Sequence, residues 1–470
     1  MIFHQNTVKL NIPTIIFSAF FTINDAEIIS IIEKKSIDLK QISSQKIKAQ
    51  VAFDKIDTQY NPYINFDLSR EVDNTSTLTN SNKQNLKKIK FLTSIGKNFD
   101  TGTQLNFEAQ YNKFSSESNL NNPAVDFDLD LISINLQQKL YPDFLGFKER
   151  ELFISSQKNL NKEHFQNELD LIESVKAALT VYWKTRVLKT QVELNQILIE
   201  KYNRLLNQLA RKRNNSMTAP GEFEQTTAEI LTKKQNLNDD KIQLENSILK
   251  LKNLLLIPAE TDLKFSTSAY KANLSDLLNK KIDPQNNLKY LLQKVKAESA
   301  KNLLNATEQG NSPELSIYSK YVIQGLDAEA QTAFNQLNEA QYNKYTIGLK
   351  LNYSFGGDQN KNVYLLQKIN SEIEIERFTN TTENLNAYFS TMKNQITFLE
   401  AAVKNNEEIY KLRQIISKKF EANYSQGRTD LSQLIETYNR EFAAKANLIN
   451  SNGQLQILSY EFDKLTSPQL

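Results

Sequence analysis

The sequence predicts a mixed α and transmembrane-β fold: strands of a membrane β-barrel continuous with long α-helices, the whole unit built twice. Three observations carry this expectation. Two long runs, about 147–213 and 361–424, contain almost no helix breaker and repeat apolar residues at three- and four-residue steps. Between the helical blocks lie segments of strict period-two alternation. No stretch approaches 18 continuous apolar residues, so a membrane span, if there is one, must be made of strands.

The helical runs follow from composition and spacing. Only 11 glycines and 9 prolines occur in 470 residues, so long uninterrupted helices are permitted. In the first run Leu194, Leu198, Tyr202, Leu205 and Leu209 form one stripe, and in the second Leu385, Phe389, Met392, Ile396, Leu399 and Val403 form another. At about 1.5 Å per residue each run spans about 100 Å, far beyond one compact core. Shorter helices are expected at 26–60, 222–257, 286–309 and 430–465. The proline junctions Pro62 and Pro313 open the strand blocks: Asn61-Pro62-Tyr63-Ile64-Asn65-Phe66 parallels Ser312-Pro313-Glu314-Leu315-Ser316-Ile317.

The domain order is therefore read as a signal peptide at 1–26, a helix at 27–61, strands and loops at 62–141, and long helices at 142–260 with a tip near 213–222. A linker and helix follow at 261–312, strands at 313–357, and long helices at 358–466 with a tip near 425–430. The leader reading rests on Lys9 followed by the apolar run 10–23, with cleavage near Ala26.

Tyr345, Ile347, Leu349, Leu351, Tyr353 and Phe355 alternate with polar or small residues over about 11 residues, the length a tilted strand needs to cross a bilayer. Leu105, Phe107, Ala109 and Tyr111, then Ile132, Ile134 and Leu136, and Ile64, Phe66 and Leu68 repeat the pattern. The connecting loops at 74–85 and 115–122 are rich in Ser and Asn. A soluble antiparallel sheet with one wet face shows the same alternation, and a non-channel coiled-coil scaffold is the competing reading. Four to six strands per chain are too few to close an open barrel. Unpaired backbone in lipid is costly, so several chains must share one barrel in a cyclic oligomer.

Other classes are disfavoured. A net charge of +3 with mixed acids and bases argues against a nucleic-acid partner. Cysteine is absent, and the two histidines are His4, in the leader, and His164, in a polar stretch. No phosphate-cradling loop, nucleophile elbow or metal-ligand cluster is present, so neither enzyme activity nor a cofactor is expected.

In order, these features resemble the outer-membrane efflux protein family, TolC-like, over about residues 26–465. The resemblance is carried by the proline junctions, by Asp100-Thr101-Gly102-Thr103-Gln104-Leu105, and by the strand exits Leu136-Gln137-Gln138-Lys139-Leu140 and Tyr353-Ser354-Phe355-Gly356-Gly357. Gln426-Gly427-Arg428-Thr429-Asp430-Leu431 carries it at the second tip. It implies a homotrimer with a shared barrel in the outer membrane and a periplasmic helical tube. It also implies a periplasmic adaptor protein and an inner-membrane pump or ABC transporter as partners. The chain would be the passive channel of a tripartite efflux or type I secretion system. The family's closed end, a carboxylate ring after the tip glycine Gly427, falls here on Gln433 and Glu436, with Asp430 one turn earlier. Asp430 and Glu436 equally suit the positive end of a helix dipole. Arg428 is a candidate latch, and Gly221 marks the first tip, where Ala219-Pro220-Gly221 departs from the family spacing.

Overall fold

The structure is a computed structural model of the chain; it describes residues 20–35, 37–73, 86–116, 126–214, 221–266, 274–280, 282–308, 313–353 and 358–467. Residues 1–19 of the expected leader lie outside these ranges. So do the loop at 74–85, most of that at 115–122, the tip at 215–220 including Pro220, and the exit at 354–357.

In chain order the elements are β1 (Phe20–Ile23), α1 (Asp25–Lys35), α2 (Ile37–Asp57), β2 (Tyr63–Asp73), β3 (Leu86–Asn98), β4 (Thr103–Ser116) and β5 (Asp126–Tyr141). Then come α3 (Phe147–Asn214), α4 (Glu222–Leu255), β6 (Asp262–Phe265), α5 (Leu274–Asn279), α6 (Leu288–Glu308), β7 (Glu314–Asp327), α7 (Ala330–Asn338), β8 (Tyr342–Asn352), α8 (Asp358–Ser425) and α9 (Leu431–Thr466). Both α3 and α8 run for 68 residues, close to the expected bounds. Neither contains glycine or proline, so nothing in the backbone interrupts them.

Two compact units are distinguishable. The first takes residues up to 45, 165–291 and 382–470, and is a helical body with two buried clusters. In one cluster Ile28 and Ile32 of α1 meet Val175, Leu179, Tyr182 and Trp183 of α3, Leu251 and Leu255 of α4, Leu385, Phe389, Met392 and Ile396 of α8, and Tyr460 and Phe462 of α9. The apolar stripe read from α8 is thus the buried one. In the other cluster Leu198, Tyr202, Leu205 and Leu209 meet Ile230, Tyr424, Leu431, Leu434, Ile435 and Tyr438.

The N-terminal region differs from expectation. Phe20–Ile23 forms a strand pairing in parallel with Asp262–Phe265, and Ile23 is wholly buried. Asn24 and Glu27 then cap α1 reciprocally, Glu27 N donating to Asn24 Oδ1 and Asn24 N to Glu27 Oε2, each at 2.9 Å. Residues 20–25 have a folded role that a cut near Ala26 would remove.

The second unit, residues 46–164 and 292–381, holds the six-stranded antiparallel sheet in the order β2-β3-β4-β5-β7-β8. Beneath it the start of α3 packs on α2 and α6. Phe53 and Phe153 rings lie 5.4 Å apart, and the buried Ser155 and Ser299 hydroxyls hydrogen bond at 3.0 Å. Lys158 pairs with Glu298. The strand ends that lead to α2, α3, α6 and α8 all lie at one end of the sheet, and α7 joins β7 to β8 at the other. Helix α7, within the segment expected to be all strand, packs on β7. A side chain at Gly325 would strike the Ala333 carbonyl, so only glycine admits this close approach. Nothing in the period-two pattern announces α7, because the 14 residues between Asp327 and Tyr342 are an even number and leave the strands on both sides in phase.

Candidate functional site

The six strands are two-faced. Across the whole sheet Ile64, Ile95, Phe107, Ile134, Tyr321 and Tyr345 stand in one row on one face. The adjacent row on the other face is Asn65, Ser94, Glu108, Ser133, Val322 and Lys344. The polar face is internally hydrogen bonded: Glu108 accepts from Asn106 Nδ2 at 2.7 Å and from Ser133 Oγ at 3.1 Å. The apolar face is bare. Leu68 is 75% exposed, Phe66 72% and Leu349 67%, in a region where polar residues normally lie. Strand lengths of 11 to 16 residues suit a tilted crossing of a bilayer. Among the described residues no helix is long and apolar enough to cross a membrane.

Among the described residues both edge strands, β2 and β8, present one row of unpaired backbone groups. Such edges invite pairing with another chain. The sheet has six strands, the upper end of the range expected from sequence.

At the second tip, α8 ends in a turn whose Gly427 adopts φ +72°. Gly427 N donates to Tyr424 O at 3.0 Å and Arg428 N to Asn423 O at 2.9 Å, closing the helix end. Asp430 is the N-cap of α9: Gln433 N donates to Asp430 Oδ1 at 2.7 Å. The Gln433 amide is held in turn by Thr429 Oγ1 at 2.6 Å. Glu436 is exposed and pairs with Arg440 four residues on. Gln433, Glu436 and Arg440 thus share an exposed face of α9, whereas Asp430 is engaged as a cap. The Arg428 side chain is exposed and has no ion-pair or hydrogen-bond partner among the described residues. At the first tip Gly221, at φ +89°, precedes α4, and Gln225 N donates to its carbonyl at 2.9 Å.

Contacts that sequence reasoning missed knit the helices beside this tip. Lys201 of α3 pairs with Glu421 of α8 at 2.9 Å and Glu441 of α9 at 3.8 Å, and stands 4.2 Å from the Tyr438 ring centre. The Tyr438 hydroxyl also donates to Glu421. Tyr424 donates to Glu222 at the start of α4. Such pairs join residues some 20 to over 200 positions apart, so no local pattern reveals them.

Burial, reinforced by the Glu222 charge and hydrogen bond, pushes the Tyr424 phenol up to about 12. Burial also raises Glu421, but hydrogen bonds from Lys201 and Tyr438 outweigh it and leave the carboxyl below its usual range. The two shifts bound the stability of the cluster. A raised phenol contributes fully below its ordinary value near 10, and that contribution is lost as pH rises to about 12. A lowered carboxyl contributes above about 4.5, and loses its contribution as pH falls further. Fluorescence or amide exchange at α8 and α9 should therefore show the tip constant from pH 5 to 9.5 and loosening beyond both limits. A tip unchanged at pH 3.5 and pH 12 would refute the coupling.

The sequence matches no protein-family model and no curated protein. Solved structures do match. The chain is similar to CusC at 13% identity and TM-score 0.64, covering 95% of this chain and 92% of that one. It is similar to VceC of Vibrio cholerae at 11% identity and TM-score 0.65, over 94% and 96% of the two chains. With the CmeC outer-membrane channel of Campylobacter jejuni the identity is 13% and the TM-score 0.66, over 94% and 85%. Along nearly its full length, then, this chain has the fold of TolC-like outer-membrane channels, with long helices and an antiparallel sheet in one polypeptide.

Proposed function

We propose that the chain is one subunit of a homotrimeric outer-membrane duct with a periplasmic extension. Its sheet supplies one third of a shared β-barrel. The duct conducts substrates passively, as the outer component of a tripartite efflux or type I secretion system working with a periplasmic adaptor and an inner-membrane pump or ABC transporter. The observation that carries this reading is the bare apolar face over a polar, hydrogen-bonded one, ending at two unpaired edges. Lipid on one side and water on the other satisfy both faces, and copies of the chain satisfy the edges. The similarity of fold to solved outer-membrane channels supports the location.

At the periplasmic end the exposed face of α9 carries the aperture, with Glu436 as its ionisable group and Gln433 one turn before it. Asp430 shapes the turn. Arg440 offsets part of the Glu436 charge, but an exposed pair of this kind is worth at most about 1 kcal/mol, so the carboxylate stays open to solvent. The purified protein in a planar bilayer should give discrete channels that prefer cations, and Glu436→Gln should weaken that preference. A water-soluble monomer with no conductance would overturn the duct reading. Channels whose selectivity ignores Glu436→Gln would overturn the aperture assignment alone.

A further inference from the structure

Two free edges must be joined if the duct reading holds, and the chain carries enough information to say in which register. Strands β2 and β8 are each 11 residues long. Every neighbouring pair in the six-stranded sheet is antiparallel, so β2 and β8 run in opposite directions. A β8 laid against β2 of a second copy therefore continues the antiparallel alternation. The lipid-facing residues are even-numbered on β2 and odd-numbered on β8. A one-residue slip would turn a whole strand inside out, so an odd residue of β8 must face an even residue of β2.

The apolar band fixes the rest. Its middle on β8 is Leu349, between Tyr345 and Tyr353. Through Ile317 and Gln138 that position is level with Thr103 of β4. On β2 the middle falls between Phe66 and Leu68, and Asp67 is level with Gln110 of β4 through Leu92. Thr103 and Gln110 are seven residues apart, so the band slants by seven residues over the five strand-to-strand steps from β2 to β8. At a rise of about 3.3 Å per residue and a strand spacing of about 4.8 Å, this is about 23 Å over about 24 Å, a tilt of about 44°. Membrane barrels tilt their strands by roughly 35–45°. A band that slants across the sheet in this way lies level in a bilayer.

One further step of the same stagger, about 1.4 residues by the same geometry, sets Leu349 opposite a point between residues 68 and 69 of the next copy. The face rule leaves Leu68. We infer that β8 of one copy pairs with β2 of the next in the register that places Leu349 against Leu68. This rests on the duct reading and adds to it the residues of the seam.

Side-chain chemistry, which played no part in choosing the register, agrees with it. On the water face Lys344 meets Asp73 and Lys350 meets Asp67. Neither lysine has an ion-pair partner among the described residues of its own chain, while Asp67 has Lys90 at 3.8 Å and gains a second cation. On the lipid face Leu351 meets Phe66 and Tyr345 meets Val72. A shift of two residues one way sets Lys350 against Asn65, and the other way buries Arg70 against Leu349 in the middle of the band. With six strands from each of three copies, the closed wall falls in the size class that leaves an aqueous channel.

The chain has no cysteine, so an introduced pair reports on itself alone. Opposed residues in an antiparallel ladder alternate between wider and closer pairs, so one lipid-face and one water-face pair are tested. The full chain, assembled in detergent and shown by sizing to be oligomeric, would carry Leu349→Cys with Leu68→Cys, or Thr346→Cys with Glu71→Cys. Mild oxidant should convert at least one of them to covalent dimers and trimers. The shifted pairs Thr346→Cys with Ser69→Cys and Thr346→Cys with Asp73→Cys should yield several-fold less. An oligomer that links best through a shifted pair, or through none, overturns the register and leaves the duct standing. A monomer overturns both.

Discussion

Replacing Leu349 with arginine is expected to destabilise the assembled protein by about 2–4 kcal/mol, although Leu349 is among the most exposed residues of the folded chain. The size of the effect is diagnostic. If that face of the sheet met water, an exposed leucine would accept arginine at a cost within about 0.5 kcal/mol. In a bilayer the guanidinium sits near the midplane of the apolar band and has no water to solvate it. The companion change Thr346→Arg alters the opposite face of the same strand, three residues away, and should cost little because that face carries Lys344 and Lys350 already. Urea or heat titration of the two variants in lipid, followed by dissociation on gels, separates the cases. Equal tolerance of both substitutions would return the sheet to the soluble reading, in which one face is merely wet.

How much of this was legible in advance depends on the range of the interaction. Periodicity read α8 and its buried stripe correctly, because Leu385, Phe389, Met392 and Ile396 face one core at helical spacing. Alternation identified the strands of the sheet for the same reason. The strand at Phe20–Ile23 was hidden inside an apolar run that also looks like a leader, and its partner lies more than 200 residues away at β6. Helix α7 was hidden because its small apolar face, Ala333 and Leu337, is matched to Gly325 and to no repeating pattern. At the tip Gly427 marks the turn in the sequence through a local device, whereas Asp430, expected at the aperture, caps α9. The contacts of Lys201, Glu421 and Tyr424 join four helices, and only the folded chain brings them together.

The same helix offers a second large effect with a built-in contrast. Phe389 is 1% exposed, with its ring edge-on to Tyr388 at 5.4 Å and to Phe462 at 6.1 Å. Truncating it to alanine leaves a cavity among α3, α8 and α9 that the surrounding helices fill only in part, at a cost of about 3–5 kcal/mol. Nine residues on, Phe398 is 73% exposed. Within a lone chain Phe398→Ala would cost almost nothing. Phe398 shares one face of α8 with Ile409 and Leu412, both about half exposed, and in the proposed trimer a neighbouring copy would cover such a row. Phe389→Ala should therefore lower the unfolding midpoint of the helical unit at any protein concentration. Phe398→Ala should leave that midpoint alone and weaken subunit association instead, read as dissociation at lower denaturant or higher dilution. Indifference of both stability and association to Phe398→Ala would show that this face of α8 meets only water, and would confine the subunit contacts to the sheet.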